Sequence, residues 1–137
     1  MLRKNAKMQL LESVPLFSHC TKKELELVAG VADEIDLPIG RELAHEGDRG
    51  REFCVIIEGA AEVSRNGETV NTLGPGDFVG EIALLTGGPR TATVTTTEPT
   101  HALVLTEQAF HRVADEVPSV QWSVVQALAE RLHNDAL

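Results

Sequence analysis

Cysteine is scarce in this chain of 137 residues: Cys20 and Cys54 cannot build a disulfide framework, and neither has a second Cys or a His at metal-ligand spacing. Long apolar runs are missing too, since nothing approaches the roughly 20 residues that cross a bilayer. The basic start Arg3, Lys4, Lys7 leads into an apolar stretch that breaks at Glu12, too short for a signal-peptide core, so the cytoplasm is the simplest compartment. Basic charge is in deficit, with 12 Lys and Arg against 21 Asp and Glu, a formal net charge of −9. That field repels polyanions and argues against a nucleic-acid surface; any anion bound must be held by a local device. Paired catalytic groups are also lacking. His19, His45, His101, His111 and His133 are scattered with no HxH or HxxxH spacing, and no Ser or Cys sits in a nucleophile motif.

The chain has 42% hydrophobic and 24% charged residues, with 11 glycines and 6 prolines, as expected of one globular domain with frequent turns. Residues 1–30 read as helical. Leu10, Leu11, Val14, Leu16 and Phe17 give one apolar face, Thr21-Lys-Lys-Glu24 has the form of a capping box, and Gly30 marks a stop. Over 31–106 the texture changes to short apolar runs with turn signals every eight to twelve residues, which predicts a β core. Strands are expected over 32–37, 41–44, 53–58, 61–65, 69–73, 92–97 and 102–105, and Asn66-Gly67 is a two-residue hairpin signal. Cys54, inside Phe53-Cys-Val-Ile-Ile57, reads as a buried, inert thiol. The tail, 107–137, returns to helix: Thr106 caps a segment to Glu116, and Pro118 opens a second amphipathic helix with Val124, Leu128 and Leu132 in one row and Val125 and Ala129 in the next.

One stretch of the β region, residues 78–92, does not read as strand. Glu81 to Thr86 holds helix formers between Gly80 and Gly87-Gly88, so a short helix is expected there. A helix start leaves outward-pointing N–H groups, and Gly80 has no side chain to obstruct an approaching anion, so backbone near Ala83 suits a phosphate. Arg90 supplies the counter-charge, its planar guanidinium matching two phosphate oxygens. Glu81 would repel phosphate and is better suited to accept from a neighbouring hydroxyl.

Gly80-Glu-Ile-Ala-Leu-Leu85 followed by Pro89-Arg-Thr-Ala92 resembles the phosphate-binding cassette of the cyclic nucleotide-binding domain, shared by the catabolite activator family, protein kinase A regulatory subunits, cGMP-dependent kinases and cyclic nucleotide-gated channels. The flanks extend the resemblance over essentially the whole chain, through Leu11–Phe17, Glu46-Gly-Asp48 and Gly74-Pro-Gly-Asp-Phe78. It implies a mainly β fold with flanking helices: an eight-stranded, jelly-roll-like β-roll between an N-terminal helical segment and C-terminal B and C helices.

The resemblance further implies that Arg90 pairs with the cyclic phosphate and Glu81 accepts from the ribose 2′-OH. Gly80, Ile82, Ala83 and Leu84 would form the backbone cradle, and Pro89, Thr91 and Ala92 the exit wall. Ile57, Val70 and Leu73 would pack around purine and ribose, with plain core as the other reading of each. Thr91 directly after the arginine is similar to cGMP-dependent kinases, and Asp135 falls where channels place an acidic residue against guanine. The ligand expected is cAMP first and cGMP second, with no cofactor or metal.

The expected function is a non-catalytic sensor acting on an effector protein or domain that the sequence does not identify, with neither nucleic acid nor membrane insertion. The apolar row of the last helix either packs on its own β-roll or pairs two copies. A scaffold that keeps the fold without the ligand is the competing class. A cyclic phosphodiesterase would need a water-activating metal or base that the cassette does not offer. A DNA-reading activator is disfavoured by charge and by the lack of a helix-turn-helix segment.

Overall fold

The computed structural model describes residues 3–50, 52–80 and 89–136, with side chains described as far as Glu130 apart from Ala127. The predicted helical start forms in three pieces: α1 (Lys4–Glu12), a 3-10 turn (Pro15–Phe17) and α2 (Lys22–Val31). Pro15 at the first position of the 3-10 turn lacks an N–H that a continuing helix would need, so the chain breaks there. The capping box closes α2 as its spacing requires: Thr21 Oγ1 accepts from the Glu24 N–H at 3.2 Å, and the Glu24 carboxylate accepts from the Thr21 N–H at 2.8 Å. Gly30 does not stop this helix, which runs on to Val31 because its backbone there is helical and Ala32 takes the cap.

Eight strands follow: β1 (Asp33–Leu37), β2 (Glu42–Ala44), β3 (Glu52–Glu58), β4 (Ala61–Arg65), β5 (Glu68–Leu73), β6 (Phe78–Val79), β7 (Thr93–Thr96) and β8 (Thr100–Thr106). They form two four-stranded antiparallel sheets, ordered β1-β8-β3-β6 and β2-β7-β4-β5. Phe78–Val79 corrects the expectation that the stretch from Phe78 onward is free of strand. Two residues are too few to show a period, yet they pair with Val55 and Cys54 of β3. The Asn66-Gly67 signal is fulfilled: both residues have positive φ, 53° and 81°, and Arg65 pairs with Glu68 across the tight turn.

Burial explains the continuous apolar runs of β3 and β8. Phe53, Val55, Leu103 and Leu105 face the helices and join Leu11, Phe17, Val28, Phe110, Val113 and Val120 in one core. Cys54, Ile56, Ala102 and Val104, on the opposite face, join Ala61, Leu73, Val79 and Val94 in a second core drawn from both sheets. A strand buried on both faces has no polar side to show, so its alternation is lost. Burial pushes the Cys54 thiol up to about 12, consistent with an inert packing role. The Phe53 ring lies 4.8 Å from that of Phe110, tying β3 to the helix that follows the roll.

At the edge of the first sheet, His101 on β8 meets two carboxylates of β1, Asp36 Oδ1 at 2.7 Å and Glu34 Oε1 at 3.1 Å. The C-terminal helices are α3 (Glu107–Glu116) and α4 (Pro118–Ala136), with Thr106 Oγ1 accepting from the Ala109 N–H at 3.2 Å. Val120 and Val124 of α4 are buried, while Trp122 and Val125 are 64% and 51% exposed. No helix among the described residues is long and apolar enough to cross a membrane.

Candidate functional site

The site is built where the β2–β3 connection runs beside the chain entering β7. Arg90 is fixed through its backbone from both sides: the Gly47 N–H donates to the Arg90 carbonyl at 2.9 Å, and the Arg90 N–H donates to the Asp48 carbonyl at 2.7 Å. The preceding residue, Pro89, forms an isolated antiparallel bridge with Arg49. The side chain is fixed as well. Arg90 Nη2 donates to the Glu52 carbonyl at 2.7 Å, a charge-assisted bond to the first residue of β3.

Gly80, at the end of β6, completes this arrangement. Its φ is +102°, a conformation side chains rarely adopt, and a Cβ built on it would run into the Glu52 carbonyl oxygen and lie 2.5 Å from Arg90 Nη1. A side chain at position 80 and the guanidinium therefore compete for one volume. Glycine's absence of a Cβ is what lets the arginine lie flat against the backbone, with Nη1 shielded from solvent.

Arg90 faces a cleft of about 660 Å³ walled by Leu43 and Ala44 of β2 and by polar residues of β2, the β2–β3 connection and the start of β3. The polar wall carries both signs: Arg49 and His45 with Glu42, Asp48 and Glu52. The Glu42 carboxylate, 2.6 Å from His45 Nδ1, raises that imidazole above its ordinary pKa, first by the hydrogen bond and then by its charge. A chain of net charge −9 thus sets Arg90, Arg49 and a cation-favouring histidine against an equal number of carboxylates around one cleft. An aliphatic wall beside fixed guanidinium donors suits a small ligand with an apolar body and one anionic group.

The residues singled out from sequence are placed unevenly. Gly80 and Arg90, ten apart in sequence, are brought into contact. Pro89 and Thr91 are exposed on either side of Arg90, and Ala92 is buried just inside. Val70, on the edge strand β5, is 53% exposed, Leu73 lies in the core between the sheets, and Ile57 packs against the helix-side core. Glu81, Ile82, Ala83 and Leu84, with the short helix expected over 81–86, lie outside the described residues, as does the side chain of Asp135. Sequence reasoning missed Glu52, whose contribution is a backbone carbonyl that leaves no mark in residue identity. It also missed His45 and Glu42, whose i, i+3 pairing was the available signal. No group of three or more His, Cys, Asp or Glu that could hold a metal ion occurs among the described residues.

Two antiparallel sheets rolled around a core, helices before and after, and one arginine braced at a cleft define a β-roll domain. Residues 34–116 match the family model of the cyclic nucleotide-binding domain, and the chain belongs to that family. It is 32% identical over 117 residues to a cAMP-dependent protein kinase regulatory subunit of Dictyostelium discoideum, covering 80% of this chain and 36% of that one. Among solved structures it is similar to the regulatory domain of Toxoplasma gondii protein kinase A crystallised with cAMP, at 31% identity and a TM-score of 0.72 over 80% of this chain and 44% of that one. It is similar also to the regulatory subunit of a cAMP-independent protein kinase A from Trypanosoma brucei, at 25% identity and a TM-score of 0.79, covering 90% and 47%. The chain spans between 22% and 36% of the length of the curated relatives it matches.

Proposed function

We propose that this chain is a non-catalytic sensor that binds a cyclic nucleotide, cAMP in the first place, with the phosphate at Arg90. The observation that carries the reading is the fixed position of that guanidinium: the Glu52 carbonyl holds it, and a glycine with no room for a Cβ accommodates it. A donor that needs no reorganisation loses less entropy on binding than a mobile surface arginine. Glu81 is assigned the ribose 2′-OH and the backbone near Ala83 the remaining phosphate oxygens, on family resemblance. The C-terminal helix α4, hinged at Val117 and Pro118, is assigned the role of a lid that closes over the base and passes the signal to an effector. Ligand shifts that equilibrium only by binding the closed state more tightly than the open one.

Thr91 supports cGMP as the second reading, because it is exposed directly after Arg90, where a hydroxyl can reach an exocyclic amino group. A scaffold that binds no nucleotide is the competing class, and the relation to a regulatory subunit described as cAMP-independent keeps it in view. A melting-temperature panel with cAMP, cGMP, 5′-AMP and 5′-GMP separates the three. A ligand at about 100 times its Kd adds about 2.7 kcal/mol to the native state, which for a chain of this size is a rise on the order of 10 °C. The larger rise with cAMP than with cGMP is expected, and none with the 5′-monophosphates. A flat response to both cyclic nucleotides favours the scaffold.

A further inference from the structure

Among the described residues, the loop that fixes the Arg90 backbone is tied to the second sheet at Glu46. Residues 47–49 are exposed, so little apolar burial holds that part of the loop. Glu46, half-buried at its start, makes two bonds that reach elsewhere. Its N–H donates to Thr93 Oγ1 at 2.9 Å, and its carboxylate Oε1 accepts from the Asn66 N–H at 3.0 Å, twenty residues on. Asn66 is the first residue of the β4–β5 turn, and β4 pairs directly with β7 through Ser64 and Thr93. The hairpin is therefore anchored in the second sheet. Glu46 joins that anchor to the two backbone bonds, Gly47 to Arg90 and Arg90 to Asp48, that set the arginine's position.

We propose that Glu46 is a positioning residue for Arg90: its carboxylate locks the β2–β3 loop to the hairpin tip and thereby holds the guanidinium where an anionic ligand meets it. The inference rests on the nucleotide reading for its effect on affinity, but not for its effect on the loop. It concerns the carboxylate as an acceptor rather than as a charge. The distinction matters because Glu46 also contributes to raising the pKa of His45 in the same cleft. The bond to Asn66 lies at the surface, where water can replace a lost acceptor, so its removal loosens the loop without unfolding the roll.

The test compares Glu46→Ala with Glu46→Gln, which loses the charge but keeps an acceptor oxygen. In ligand-free protein, amide exchange followed by NMR should speed up roughly fivefold to tenfold at Gly47 and Arg90 in E46A, with the β3–β8 ladder unchanged. E46Q should resemble wild type. The Kd for cAMP should rise by a similar roughly fivefold to tenfold factor in E46A and stay near wild type in E46Q. Unchanged exchange at Gly47 and Arg90 in E46A overturns the proposal. So do equal effects of the two variants, which would make the charge responsible, and faster exchange throughout the roll, which would make Glu46 a general fold residue. If exchange changes as expected but even the wild type binds neither cyclic nucleotide, the positioning role stands and the nucleotide reading fails.

Discussion

Arg90→Ala is expected to raise the dissociation constant for cAMP by about 30-fold to several thousand-fold while leaving the far-ultraviolet circular dichroism unchanged. Truncating one partner of a buried, hydrogen-bonded charge pair costs about 2–5 kcal/mol, and each 1.4 kcal/mol is about tenfold in affinity. The fold should tolerate the change. The Nη2 bond to the Glu52 carbonyl is among the bonds given up, and Glu52 is an exposed position where water can take over. Arg90→Lys should fall between the two proteins, since it keeps the charge but loses the planar fork. Isothermal titration calorimetry reads all three. An unchanged affinity in Arg90→Ala would remove Arg90 from the phosphate.

Gly80→Ala should be the most destabilising single methyl group in the site. Backbone strain at a φ of +102° costs about 1–3 kcal/mol in a non-glycine residue, and overpacking adds about 1–3 kcal/mol more. The overpacking here is hard to relieve. The new Cβ would collide with the Glu52 carbonyl and lie 3.3 Å from Phe53 Cα, both backbone atoms of β3, a strand paired on both sides, while the third contact is the guanidinium itself. A loss of about 2–6 kcal/mol is expected, read by urea unfolding. Whatever fraction stays folded should bind more weakly because Arg90 is displaced. Gly40→Ala is the control: φ there is +84°, but nothing lies within 4 Å, so only the conformational cost of about 1–3 kcal/mol applies, without the overpacking. Equal stabilities for the two alanine variants would show that Gly80 is not packed against Arg90 as described.

Much of the fold was legible because local chemistry and tertiary context agree. The Thr21 capping box, the Thr106 cap, Pro118 at the start of α4 and the Asn66-Gly67 turn are all settled by bonds within a few residues, and each forms as its sequence requires. Elements fixed by distant partners were harder. The strand Phe78–Val79 exists through its pairing with β3, and helix α2 passes through Gly30 because packing of Val28 and Ala29 outweighs a glycine's weak preference. In the site, Gly80 and Arg90 could be picked out because their side chains, one missing and one forked, are the chemistry. The Glu52 carbonyl and the Glu46 to Asn66 bond could not, since one is backbone and the other joins residues twenty apart whose identities alone say nothing of contact.

The charge balance also becomes clearer on the structure. A net charge of −9 is compatible with one small phosphate as ligand, because the groups that decide its binding are local. Arg90, Arg49 and His45 stand against Glu42, Asp48 and Glu52 in a cleft with an aliphatic wall, so a fixed guanidinium, rather than an excess of positive charge, is what the cleft offers a phosphate.

A crystal structure of the chain grown with cAMP tests the central claim most directly. Electron density for one nucleotide is expected in the cleft, with cyclic phosphate oxygens within hydrogen-bond distance of the Arg90 guanidinium. Crystals grown at saturating cAMP that show no nucleotide there, or show its phosphate away from Arg90, would contradict it.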